Sequence, residues 1–140
     1  MRWPGPDGYW ASDEADLVDV ARVHHWLCDQ SYWAEGRSYD VTVRSLAGSL
    51  TVGLYGADGD QVGVCRFVTD GATFAWLCDV FVDPAVRGGG LGTFLVATAV
   101  AHPAVAGLRL VLGTRDAHEL YRRFGFEELA APERWMERRS

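Results

Sequence analysis

The chain of 140 residues contains no lysine; all 13 of its basic side chains are arginine. That absence excludes a Walker A phosphate loop, whose Gly-Lys-Ser/Thr lysine reaches the phosphates, and any mechanism through a lysine Schiff base. Cysteine is scarce. Cys28, Cys65 and Cys78 are odd in number and have no C-x-x-C spacing, so neither a disulfide framework nor a zinc site is suggested, and no metal is expected. A reducing, cytoplasmic location fits. No run approaches the roughly 20 apolar residues of a membrane helix, and Met1-Arg2-Trp3-Pro4-Gly5 carries no signal-peptide core, so no membrane partner is expected. Positive charge is also short: 13 basic against 19 acidic residues leave a net charge of −6, which argues against a broad nucleic-acid face.

What is present is globular. The composition is 49% apolar, 12% aromatic and 23% charged, and the length suits one domain over residues 1–140. Residues 1–11, rich in Pro, Gly and Trp, read as an irregular lead-in. Ser12 reads as an N-cap with Asp13 and Glu14 in the first turn, followed by an apolar helical face through Leu17, Val20, Ala21, His24, Leu27 and Cys28. Residues 38–48 fit a strand or a helix. Strands are expected at 50–55, 61–69 and 73–82, joined by the turns Ala57-Asp58-Gly59-Asp60 and Asp70-Gly71 as an antiparallel meander. A helix from Leu91 to Ala101 follows, then a buried strand at 108–112. Asp116 and Glu119 read as a capping box opening a short helix that Gly125 ends, and a last strand region starts at Phe126 and returns through 134–137. The order predicts an α+β fold with a mostly antiparallel mixed sheet flanked by helices.

The most informative stretch is Val80-Phe81-Val82-Asp83-Pro84-Ala85-Val86-Arg87-Gly88-Gly89-Gly90-Leu91-Gly92-Thr93. A strand stops, glycines let the backbone fold tightly, and a helix opens with its first N–H groups free. Free amides, the positive end of a helix dipole and Arg87 together make an anion site suited to phosphate or pyrophosphate. The dinucleotide fingerprint G-x-G-x-x-G does not fit, because Thr93 stands at the third glycine.

Arg87-Gly88-Gly89-Gly90-Leu91-Gly92 resembles R-x-x-G-x-G, the acetyl-CoA pyrophosphate motif of the GNAT N-acetyltransferase superfamily. Downstream, Ala117-x-x-Leu120-Tyr121-x-x-Phe124-Gly125-Phe126 resembles that family's A-x-x-L-Y-x-x-x-G-F. Ser31-Tyr32-Trp33-Ala34-x-Gly36-Arg37 and Thr114-Arg115-Asp116-Ala117-His118 resemble a group of short, free-standing bacterial members. The resemblance implies the GNAT fold and acetyl-CoA as acetyl donor. It implies that the backbone of Val80, Phe81 and Val82 pairs with the pantetheine arm, and that the amides from Gly88 through Gly89, Gly90, Leu91, Gly92 and Thr93 cradle the pyrophosphate beside Arg87. Tyr121 falls on the tyrosine that protonates the departing thiolate in many members, a fitting task for a phenol of pKa near 10. Thr114 stands where many relatives carry an asparagine that contacts the cofactor; it offers a hydroxyl in place of an amide.

Asp79 is a carboxylate in an apolar run and must be paired, neutralised or functional. It matches an acidic position of several amine-acetylating relatives, and reads either as a base or ammonium anchor or as a structural hydrogen-bonding group. His118 has a pKa suited to a base, while His24, on the apolar helix face, reads as a core histidine. By family analogy Trp26, Tyr32, Trp33 and Arg37 are candidates for acceptor contact. The expected activity is acetyl transfer to a primary amine, preferably of a small molecule. A peptide amine and a catalytically silent CoA-binding module are the alternatives. A homodimer is left open, with Trp135-Met136 as a covered patch or a core edge strand.

Overall fold

The computed structural model describes residues 1–139. Its strands are β1 (Arg2–Pro4), β2 (Trp10–Ser12), β3 (Leu50–Tyr55), β4 (Gln61–Thr69), β5 (Phe74–Val82) and β6 (Arg109–Val111). The helices are α1 (Val20–His25), α2 (Tyr39–Ala47), α3 (Leu91–Val100) and α4 (His118–Arg122). One sheet holds the strands in chain order, β1 to β6. All neighbours are antiparallel except β5 and β6, which α3 connects as a parallel crossover. This is the α+β layering expected.

The meander forms where its turns were read. Gly59 and Gly71 take left-handed φ of 90° and 73°, and the Asp70 carboxylate accepts from the Thr73 hydroxyl and from the amides of Thr73 and Ala72, which holds it well below the usual carboxylate range. Alternation along β5 puts Ala75 and Leu77 into the core beneath α3, with Val52, Leu54, Cys65, Phe67, Leu95 and Val96. An extra residue then breaks the alternation. Val64 faces Phe81 and Arg66 faces Cys78, so Asp79 and Val80 together oppose Cys65. Asp79 takes φ 53° at this bulge. Beyond it Val80 and Val82 face the α3 core while Phe81 turns to the other face, against Val23, Trp26 and Leu27.

Several local expectations are corrected. The first residues are not irregular: β1 pairs with β2, and β2 with β3. Ser12 is therefore a strand residue and caps no helix; its hydroxyl donates to Glu14 Oε2 and accepts from the Glu14 amide. The helical face splits into a 3-10 turn at Ala15–Leu17, α1 capped by Asp19, which accepts from the Arg22 amide at 3.1 Å, and one wide π turn at Trp26–Gln30. Residues 39–47 are helical because the Ser38 hydroxyl accepts from the Val41 amide. After Phe126 the described residues form no strand, only a 3-10 turn at Pro132–Arg134, and Trp135 lies over the Arg109 guanidinium, 5.0 Å from its ring centre. Among the described residues, no helix is long and apolar enough to cross a membrane.

Candidate active site

The parallel pair β5–β6 lasts only from Phe74–Trp76 against Arg109–Val111. β5 then continues alone to Val82 while the chain after β6 leaves the sheet. The two diverge, and the gap is a cleft of about 590 Å³ floored by β5 and walled by Tyr32, Trp33, Thr114, Arg115 and Tyr121. A second hollow of about 310 Å³ adjoins it over the glycine loop, sharing Val82, Arg87, Gly92 and Leu120 with the first.

Gly88 and Gly90 have φ of 92° and 80°, a conformation that L side chains strain to adopt. The amides of Gly88, Gly89 and Gly90 enter no turn hydrogen bond, and those of Leu91, Gly92 and Thr93 open α3 with no carbonyl a turn behind them. Around Gly88, Gly89, Gly90 and Gly92 there is open space where a Cβ would stand. Arg87 folds back: its Nε donates to the Val82 carbonyl at 2.8 Å and its guanidinium lies 5.0 Å from the Phe81 ring centre.

Tyr121 reaches the cleft from α4. The inward stripe of that segment is Ala117, Leu120, Tyr121 and Phe124, at helical spacing. Burial pushes the Tyr121 phenol up to about 12. The expected capping box does not form. Thr114 Oγ1 accepts from the Ala117 amide at 3.1 Å in the turn before α4, whose first amides have no side-chain cap among the described residues, and Asp116 is exposed beside Arg115. His118, outside the inward stripe, is exposed and lines neither hollow, so the structure does not bring it to the site.

Asp79 is almost fully buried and both its oxygens are taken. Oδ1 accepts from Trp33 Nε1 at 2.8 Å; Oδ2 accepts from Arg37 Nη1 at 2.7 Å and Arg66 Nε at 2.6 Å. Burial raises its pKa, but the two arginines outweigh that and hold it below the usual carboxylate range. Arg37 is thus paired with Asp79 and does not line the cleft. Trp26 lines neither hollow: it is 2% exposed and stacks on Phe81 in the core. His24 Nε2 bonds to the Arg37 carbonyl at 3.0 Å. Tyr32 and Trp33 do stand at the cleft. Tyr32 Oη accepts from the Arg115 amide at 2.8 Å, and the Arg115 guanidinium lies 3.9 Å from the Tyr32 ring centre, tying two loops together.

The profile of the acetyltransferase (GNAT) domain matches residues 50–128, from the start of β3 to just beyond α4. The chain belongs to the GNAT acetyltransferase family. A solved GNAT-family structure from Xanthomonas campestris pv. campestris is 38% identical, covers 97% of this chain and 96% of its own, and superposes with a TM-score of 0.92. A Gibberella zeae protein bearing an acetyltransferase name is 28% identical over 143 residues, 86% of this chain and 79% of its own length. A Clostridium acetobutylicum protein solved with acetyl-CoA shares the fold at a TM-score of 0.67 and 13% identity, over 99% of this chain and 96% of its own.

GNAT acetyltransferases take their acetyl group from acetyl-CoA. Chemically the hollows suit such a donor: free amides and empty space at the glycines for an anion, and an unpaired β5 edge for an extended arm. Reading the sequence missed Arg66, Arg115, Trp76 and Cys78, the first a partner of Asp79 and the others cleft-lining. Arg66 carried a usable signal, since it interrupts an apolar strand as Asp79 does. Nothing local marks Arg115 or Trp76.

Proposed function

We propose that this GNAT domain, occupying residues 1–140 and working in the cytoplasm, moves an acetyl group from acetyl-CoA directly to a primary amine of a small molecule. The observation that carries the reading is the continuity of three features across two adjoining hollows: the free amides of the glycine loop, the unpaired β5 edge and the Tyr121 phenol. Bound acetyl-CoA supplies an activated thioester. The amides of Gly88 to Thr93 hold its pyrophosphate, and Arg87 flanks it. The backbone of Val80, Phe81 and Val82 extends the sheet by one strand along the arm and fixes the thioester over the acceptor. A C–N bond forms as the C–S bond breaks. Tyr121 Oη, protonated at neutral pH, gives its proton to the departing sulfur, while the attacking nitrogen loses one to solvent. The cleft of about 590 Å³ has to hold the donor's arm as well as the acceptor, which leaves room for a small acceptor at the Tyr32–Trp33 wall.

Calorimetric titration with acetyl-CoA, CoA and ATP tests the donor site, followed by an amine screen with thiol detection. Both CoA forms should bind and ATP should not, with binding lost in Gly90→Asp. Absence of CoA binding, or its persistence in Gly90→Asp, overturns the proposal.

A further inference from the structure

The Asp79 cluster joins three parts of the molecule: the loop carrying Trp33 and Arg37, strand β4 through Arg66, and the bulge of β5. We propose that Asp79 is a positioning residue that holds the Trp33 indole as the acceptor-side wall of the cleft, and that it does not receive the amine's proton. The inference rests on the amine-acetylation reading and deepens it.

Four observations carry it. Three donors occupy the two oxygens of Asp79, at 2.6–2.8 Å, and its side chain is 3% exposed. Two guanidiniums face one carboxylate, so protonating Asp79 strands both positive charges with no counter-ion in a buried place. Its left-handed backbone belongs to the extra residue of the bulge, which turns the side chain toward the 31–37 loop. Trp33 itself is 41% exposed, with Tyr32 edge-on at 5.0 Å and Phe81 at 6.5 Å, so its indole N–H is anchored while its ring borders the cleft. Cys78, next in the chain, is no alternative base, since burial pushes its thiol up to about 11.

Trp33→Phe keeps an aromatic ring but removes the indole N–H together with the fused five-membered ring, and so part of the wall. With an amine that the screen identifies, it should raise the acceptor KM roughly tenfold with kcat changed less than about threefold, and leave the pH profile of kcat unaltered. Asp79→Asn should raise the acceptor KM similarly, and the double variant should cost no more than the larger single one, since both act through one contact. The opposite split overturns the proposal: kcat down about a hundredfold or more in Asp79→Asn, acceptor KM unchanged, and the acidic limb of the pH profile gone. Should Asp79→Asn fail to fold, the Trp33→Phe split decides. A readout independent of turnover is the indole N–H spectrum of the 15N-labelled protein. One slowly exchanging tryptophan signal should shift and lose protection in Asp79→Asn, or in Asp79→Ser if that variant is the one that folds. Six unchanged indole signals refute the anchor, whereas an intact anchor with no amine turned over refutes the acetylation reading alone.

Discussion

Tyr121 and Asp79 meet the cleft with opposite electrostatics. Burial keeps the phenol protonated, while two arginines keep the carboxylate ionised. Tyr121→Phe removes the proton donor and little else. It should lower kcat tenfold or more while calorimetric CoA affinity stays within about threefold. The pH dependence of stability has a definite sign as well. Tyr55, Cys65 and Tyr121 are each pushed up to about 12, chiefly by burial, so their neutral forms are favoured in the folded chain. Their contribution is complete below the unfolded values, near 9 for the thiol and 10 for the phenols, and is lost as pH rises toward 12. Urea midpoints should be insensitive to these three groups up to about pH 8 and fall steadily above about pH 9. At this scale the sequence flagged the chemistry of Asp79 and Tyr121, because a carboxylate in an apolar strand and a motif tyrosine are local signals. Direction is not local. Trp26 and Arg37 share a segment with Tyr32 and Trp33, and only packing decides that the first pair turns inward to Phe81 and Asp79 while the second borders the cleft.

Elements were legible where period and turn chemistry agreed. β3, β4 and β5 alternate between marked turns, and α3 runs unbroken from its glycine cap, so all four lie within a residue or two of expectation. β1 and β2 are three residues each, too short to show a period, and they exist because Trp10 stacks on Tyr55 at 4.6 Å and donates to the Gly56 carbonyl at 2.9 Å. The cap of α4 was misread because a D-x-x-E pattern lay two residues from Thr114, whose hydroxyl holds the turn before the helix while the helix itself has no side-chain cap. Thr114→Ala should therefore lower stability by about 1 kcal/mol, whereas Asp116→Ala should change it by less than about 0.5 kcal/mol; thermal or urea unfolding separates them. α3 offers a variant in which stability and binding move apart. Gly92 lies in its first turn with open space at its Cβ. Gly92→Asp replaces a helical glycine and puts a negative charge at the positive end of the dipole, which should stabilise the fold by roughly 0.5–1.5 kcal/mol. The same charge repels a pyrophosphate, so acetyl-CoA affinity should fall by at least about a hundredfold in the same preparation.

For the molecule as a whole, the fold class and the β3–β5 meander were legible, whereas the β1–β2 edge and the absence of a strand after Phe126 among the described residues were not; the family profile covers β5, the glycine loop and α4, but not the Tyr32–Trp33 wall. The cleft itself was not legible, because it arises from how early β5 and β6 stop pairing, and no residue announces that. The chain-order arrangement of the sheet has a kinetic consequence. β3, β4 and β5 join through short turns, so their pairings close small loops, whereas β2 finds β3 only after residues 13–49 have been threaded into α1 and α2. The three-strand meander should therefore nucleate folding, with the first strand pair docking last. In stopped-flow chevrons, Phe67→Leu should slow refolding and Trp10→Phe should mainly speed unfolding. On the ribosome the β1–β2 pair, closed by its own short turn, emerges first and waits as an unfinished edge until β3 is delivered beside it.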